Sequence, residues 1–281
     1  FHLMNLFKNN LYIVSTPIGN LEDITFRAVE VLKKSDIILC EDTRHSLKLL
    51  NHLKIKKKLI SYHKFNERKK ILPIIEHIKQ GKILSLISDA GTPLLSDPGK
   101  ILINECIKKN INISPIPGAS SITAAASISG FKDEFLFNGF LPKKAQELES
   151  VLTKLSILDF TQIFFVPALK VNFYLKSFKK FFSGREIVIA KEITKLHEEI
   201  IREKVDSIKL FTKPLKGELT IIISDKKVVE KVDRGKIISL AKKYLKKYSL
   251  KDTVDLLFQS KNINKKKIYE ICLKIKNEEN N

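Results

Sequence analysis

Five times between residues 11 and 130 a short apolar run is followed by a turn and then by apolar residues at helical spacing. This alternation constrains the fold more than any other feature of the chain. Residues 11–15 form the first run, 17–20 the first turn and 24–34 the first helix, with Asp23 or Thr25 as its N-cap. The pattern returns with runs over 36–40, 58–62, 82–88 and 111–116. The matching helices start at Thr43, span 66–80 before Gly81, follow Pro98, and span 120–129 before Gly130. Strands separated by crossover helices pair in parallel, and the helices then cover both faces of the sheet. The prediction is an α/β domain over residues 10–118.

Beyond Gly130 the alternation loosens. Strands are predicted over 134–140, 161–166, 186–191 and 218–224 with helices between them, a second α/β domain of mixed strands over 119–228. Residues 229–281 read as purely helical, over 235–248, 250–260 and 263–275, with a frayed tail from Asn277. The predicted fold class is therefore α/β, two domains plus a small, basic C-terminal helical bundle.

The chain carries 51 Lys and Arg against 31 Asp and Glu, a formal charge of +20. Clustered basic groups suit a phosphate-bearing partner, because they release the counterions condensed on a nucleic acid. Only Arg27, Arg44, Arg68, Arg185, Arg202 and Arg234 are arginines, and a lysine-rich solvated surface would carry the same charge. No stretch reaches the roughly 18–20 consecutive apolar residues of a membrane span, and the first residues lack the charged-then-apolar pattern of a secretory leader. No membrane partner is expected, and the expected location is the cytoplasm. Phe1, His2 and Leu3 precede the only methionine, Met4, and are set aside from the fold. Cys40, Cys106 and Cys272 are odd in number and far apart, so neither a disulfide nor a metal site is expected.

Three loops follow strands of the first domain, at the edge where open α/β sheets place ligands. They are Thr16-Pro17-Ile18-Gly19-Asn20, Asp89-Ala90-Gly91-Thr92-Pro93 continuing to Asp97-Pro98-Gly99, and Pro117-Gly118-Ala119-Ser120-Ser121. Glycine lets main chain approach a ligand closely, while Thr92, Ser120 and Ser121 offer hydroxyls. Every βα loop needs turn residues, so each loop alone says little. Neither the GxGxxG fingerprint nor a P-loop motif occurs, which argues against the common dinucleotide and nucleotide-triphosphate sites.

Read as strings, the segments are specific. Residues 11–25 (LYIVSTPIGNLEDIT), 41–44 (EDTR) and 88–99 (SDAGTPLLSDPG), then 117–124 (PGASSITA), 139–142 (GFLP), 191–195 (KEITK) and 216–218 (KGE), stand in this order. They resemble the ribosomal RNA small subunit methyltransferase I family of the tetrapyrrole-methylase superfamily, over residues 11–224 with an extension to 275. The resemblance implies a tetrapyrrole-methylase-like fold with S-adenosylmethionine in the cleft between two α/β domains. The activity it implies is 2′-O-methylation of a cytidine ribose in small-subunit ribosomal RNA, in the assembled subunit, by a cytoplasmic homodimer. Carried over residue by residue, it implies cofactor contacts at Pro17, Asp89, Ala90, Gly91, Thr92 and Leu95, at Ser120 and Ser121, and at Phe165, Val166, Thr194 and Gly217. No metal is implied.

The chain departs from the family pattern in two places. Where a Glu and then a His-Arg pair are expected after the two aromatics, Val166-Pro167-Ala168-Leu169-Lys170 stands; where a Gly-Arg-Arg-like stretch is expected, Lys143-Lys144-Ala145-Gln146-Glu147 stands. Methyl transfer to a ribose hydroxyl needs an in-line oxygen and a group that takes or shares its proton. Glu41, Asp42 and Arg44 follow a strand end and are the first candidates for holding the nucleotide, Arg44 being suited to phosphate. Lys191 and Glu192 end another strand, and Asp23, His63, Asp97 and Lys195 are further groups on the cleft side. Each also has a plain structural reading, as a helix cap or a local ion pair. Two other functions stay open on the sequence: a methylase of a tetrapyrrole or other small molecule on the same fold, and an RNA-binding protein that no longer binds a cofactor. In the helical appendage, Lys242, Lys243, Lys246, Lys247, Lys251, Lys261, Lys265, Lys266 and Lys267 suit docking to RNA phosphates.

Overall fold

The structure, a computed structural model, describes residues 11–226, 234–260 and 265–279. Phe1, His2, Leu3, Met4, Lys261, Asn280 and Asn281 lie outside the described residues, as do the side chains of Lys265, Lys266 and Lys267. Strands β1 (Leu11–Val14), β2 (Ile37–Cys40), β3 (Lys58–Ser61), β4 (Leu84–Leu86) and β5 (Ile113–Ile116) form an all-parallel sheet in the order β3-β2-β4-β1-β5. Helices α1 (Phe26–Lys34), α2 (Thr43–His52), α3 (Glu67–Lys79) and α4 (Lys100–Lys108) make the crossovers. The central strand β1 shows why these strands read as unbroken apolar runs. Leu11 and Ile13 pack with Ile75 of α3 and Leu102 of α4, while Tyr12 and Val14 pack with Val31 and Leu32 of α1 on the other face.

The second sheet contains β6 (Phe135–Phe140), β7 (Thr161–Pro167), β8 (Glu186–Lys191), β9 (Glu199–Lys204) and β10 (Glu218–Ile223), in the order β6-β7-β10-β8-β9. Only β6 and β7 pair in parallel. One face, with Phe164, Val166, Ile189 and Ile221, packs on α6 (Ala145–Ser156) and α7 (Val171–Phe181) through Leu148, Leu152, Leu175 and Phe178. The other face, with Ile163, Val188 and Ile222, packs on Ile122 and Ala125 of α5 (Ser121–Ser127). Helix α5 thus follows the last strand of the first sheet but packs against the second, and both sheets sit in one compact unit that ends at Lys226.

Residues 227–281 form a separate compact unit. Its helices α8 (Arg234–Leu245), α9 (Leu250–Ser260) and α10 (Lys265–Glu279) bury Ile237, Ala241, Val254, Leu257, Ile268, Cys272 and Ile275. Ile238, Leu256 and Leu273 lie outside that core, partly exposed.

Two expectations are corrected. A strand, β9, stands between β8 and β10 where a helix was expected. Its two half-buried isoleucines, Ile200 and Ile201, are followed by Arg202, Glu203 and Lys204, so no alternation marks it, and as an edge strand it needs a partner on one side only. Helix α10 runs on to Glu279, where a frayed tail was expected from Asn277. No described helix is long and apolar enough to cross a membrane.

Candidate active site

The loops after β1, β4 and β5 meet at the C-terminal edge of the first sheet and are laced together by main-chain and hydroxyl hydrogen bonds. Thr16 N donates to Gly91 O at 2.9 Å and Gly91 N to Thr16 O at 3.0 Å. The Thr92 hydroxyl donates to Ala119 O at 3.3 Å, so in its 2.9 Å contact with the Ser15 hydroxyl it accepts. Gly91 has φ +77°, and a Cβ there would stand 3.2 Å from Ile18 Cγ2. A left-handed residue packed this closely needs glycine.

Facing these loops across a cavity of about 440 Å³ are the end of β7 and the start of β10. Ten of the residues assigned to a cofactor line that cavity: Asp89, Ala90, Gly91, Thr92 and Leu95 on one wall, Ser120 and Ser121 beside α5, and Phe165, Val166 and Gly217 opposite. Pro17 and Thr194 do not line it. Pro17 is buried in its loop, and the Thr194 hydroxyl accepts from Asn20 N at 3.1 Å, tying the loop after β8 to the loop after β1. Gly19 lies against Thr194 and Lys195, so any side chain there would push this junction apart.

The five residues assigned to catalysis stand beside the cavity without lining it. Asp42 caps α2 by accepting from Arg44 N at 2.8 Å, and its other oxygen pairs with Arg44 Nη2 at 2.8 Å. These bonds hold its carboxyl down at about 2. The Arg44 side chain is 88% exposed, free to reach a partner from solvent. Lys191 pairs with Glu199 across β8 and β9 at 3.0 Å. Glu192 accepts from Glu218 N at 2.8 Å and from Lys195 Nζ at 3.0 Å. Burial would raise its pKa, but these two donors outweigh it and keep the carboxyl below its usual range.

The titratable groups that do line the cavity are Asp89, Asp97 and Glu218, and among the described lining residues there is no lysine, arginine or histidine. Behind them, burial and the charges of Asp97 and Asp89 push Glu41 up to about 7. Burial likewise raises Asp97 to about 6, with a Ser88 hydrogen bond opposing and the charge of Asp89 adding. The cavity is therefore acid-lined in a chain of net charge +20. It suits a cationic guest and repels a free phosphate.

Sequence reasoning placed Asp97 on the cleft side but missed Ser96, Phe140, Pro167, Ala190 and Ile193, which also line the cavity. Ser96, Phe140 and Ile193 were legible only as members of the strings 88–99, 139–142 and 191–195, and Pro167 only within the stretch that departs from the family pattern. Ala190 and Ile193 lie at the end of β8 and just beyond it, and carry no polar signal at all.

The profile of the family described as Tetrapyrrole (Corrin/Porphyrin) Methylases matches residues 10–209. A Ribosomal RNA small subunit methyltransferase I from Rickettsia prowazekii (strain Madrid E) is 42% identical over 278 residues, covering 96% of this chain and 99% of that one. A protein of the same name from Mesomycoplasma conjunctivae is 44% identical over 225 residues, 78% of this chain and 93% of that one. Among solved structures, the methyltransferase CobJ superposes with a TM-score of 0.60 at 16% identity, covering 78% of this chain and 95% of that one.

Proposed function

Because the chain belongs to the ribosomal RNA small subunit methyltransferase I family, we propose that it transfers a methyl group from S-adenosylmethionine to the 2′-hydroxyl of a cytidine in small-subunit ribosomal RNA. One observation carries the cofactor assignment: the cavity between the two sheets is lined by Asp89, Asp97 and Glu218 and, among the described residues, by no basic side chain, in a strongly basic protein. S-adenosylmethionine carries a sulfonium and an ammonium against one carboxylate, a net cation, and when bound it would supply an electrophilic methyl group.

Main chain at Ala90, Gly91 and Thr92 and the hydroxyls of Ser120 and Ser121 would hold S-adenosylmethionine, with Val166 and Phe165 as an apolar wall for its adenine. Asp97, lining the cavity, takes the proton of the attacking hydroxyl; a carboxylate poised near 6 is a competent base at neutral pH and stays largely ionised. Arg44, exposed and aimed by Asp42, holds a phosphate of the RNA strand. Glu41 and the Lys191–Glu192 strand end support this edge of the cleft. Pro17 and Thr194 act by fixing the first loop. The acid and imidazole absent from residues 166–170 are not needed in this scheme, since Val166 and Pro167 give that wall an apolar surface and the carboxylates come from the first sheet.

The same reading makes the assembled subunit the substrate, the cytoplasm the location and a homodimer the working form. The strongly exposed Phe26 and Leu196 are apolar surface that a second copy would cover. The deciding experiment maps ribose methylation in small subunits from cells with and without this gene, and offers the purified protein such unmethylated subunits beside a precorrin. Methyl transfer to the precorrin alone would reject the ribosomal substrate, and no calorimetric heat with S-adenosylmethionine would reject the cofactor.

A further inference from the structure

Strand β6 carries a bulge that decides where its last side chain points. Its register against β7 runs Phe135↔Thr161, Leu136↔Gln162 and Phe137↔Ile163, then skips Asn138 to continue Gly139↔Phe164 and Phe140↔Phe165. In an unbulged strand Phe137 and Phe140 would point to opposite faces, because side chains alternate. The extra residue puts Phe140 on the face of Ile163 and Phe165, the face that looks toward the cavity. Gly139, at φ +63°, permits this turn, and a Cβ there would stand 3.0 Å from the Ser96 hydroxyl, next to Asp97.

The re-aimed ring is held but not buried. Phe165 lies 5.4 Å from Phe140 and 4.9 Å from Phe137, both pairs inclined, at 58° and 68°. These contacts fix the orientation of Phe140, yet it remains 61% exposed while lining the cavity. An apolar ring held in place and exposed at the edge of the cleft offers a face on which a planar group can stack. An enclosed adenine calls for the buried Val166 and the half-buried Phe165, not for Phe140, the more exposed of the two rings that line the cavity.

We propose that Phe140 is the platform on which the base of the target nucleotide stacks once it has left the RNA helix, holding its ribose against Asp97. This rests on the ribosomal reading above and adds a substrate-positioning residue to it. The 2′-hydroxyl lies on the sugar rather than inside the base stack, so this platform serves an already unstacked nucleotide, and an aromatic face stacks such a base whatever its identity. The platform therefore positions the nucleotide rather than selecting cytosine.

The test uses the full chain with unmethylated small subunits, following methyl transfer and, separately, S-adenosylmethionine binding by calorimetry. Base–aromatic stacking of about 1–3 kcal/mol predicts that Phe140→Ala raises KM for the subunit by about 5- to 150-fold, with cofactor Kd unchanged and the melting temperature close to wild type. Phe140→Trp should restore KM, and Phe140→Leu, which keeps apolar bulk but has no π-face, should not. Rescue by leucine, an unchanged KM in Phe140→Ala, or a parallel loss of cofactor affinity would each overturn the platform. A wild-type protein that methylates no subunit would instead sink the parent reading, and would show it before any variant is made.

Discussion

Thr16 and Gly91 exchange both backbone hydrogen bonds, at 2.9 and 3.0 Å, and so clamp the loop after β1 to the loop after β4 at the edge of the cavity. The clamp exists because Gly91 adopts a left-handed φ of +77° with Ile18 just beyond its Cα hydrogen. A valine there costs about 1–3 kcal/mol in backbone strain, and its branched side chain must displace Ile18 or enter the cavity. Gly91→Val should fold, since the sheet itself is untouched, melt at lower temperature, and lose S-adenosylmethionine binding. Circular dichroism with calorimetry checks this; native affinity in a folded variant would remove Gly91 from the site.

Glu41 and Asp97 give the protein a pH dependence of defined sign. Their carboxyls are pushed up to about 7 and about 6, so each holds its proton more tightly folded than unfolded. The stability they contribute is complete below the ordinary carboxylate pKa near 4 and is lost as pH rises through 6 and 7. On their account the thermal midpoint falls between pH 5 and pH 8. Glu41→Gln fixes the neutral form and should flatten that slope, and a slope identical to wild type would contradict the assigned cause. Binding of a cation runs the other way, strengthening as these groups ionise, so cofactor affinity should rise over the same interval.

The fold was legible where local chemistry and burial agree. Strands β1, β2 and β4 read as apolar runs because both of their faces are buried, and Thr25 was legible as a cap, accepting from Ala28 N at 3.1 Å. The edge strand β9 was not, because charge dominates its exposed side. The site was legible as strings at Asp89–Thr92 and Ser120–Ser121, where backbone geometry demands glycine and small residues. The direction of Phe140 was not, since it depends on a one-residue bulge that no periodicity announces.

Asp42 and Arg44 allow capping to be separated from substrate contact. Asparagine caps a helix as well as aspartate does, so Asp42→Asn keeps α2 but frees Arg44 from its 2.8 Å ion pair. Arg44→Ala removes the guanidinium outright. A charge-assisted hydrogen bond to phosphate is worth about 1.5–3 kcal/mol, so Arg44→Ala should lower methyl transfer to subunits about tenfold or more, and Asp42→Asn somewhat less. Cofactor Kd should hold within about twofold in both, because neither residue lines the cavity. Equal loss of transfer and cofactor affinity would show that the segment serves the cofactor instead.

At the corner between α8 and α9 the chain exposes Lys242, Lys243, Lys246, Lys247 and Lys251, together with Tyr248, and none of these lysines makes an ion pair among the described residues. The nearby Asp252 is taken up by the Ser249 hydroxyl at 2.6 Å, where Ser249 caps α9. Lys242 and Lys243 also complement the C-terminal end of α8, worth about 0.3–1 kcal/mol each, so a purely structural role predicts a lower melting temperature on their removal and nothing more. Docking to ribosomal RNA predicts otherwise. Replacing all five by glutamine in the full chain should weaken binding to the small subunit and flatten its log–log salt dependence by about 0.7–0.9 for each phosphate that the lysines no longer neutralise, while cofactor affinity stays as it was. Subunit affinity and salt slope that match the wild type, with only the melting temperature reduced, would leave these lysines to the helix ends alone.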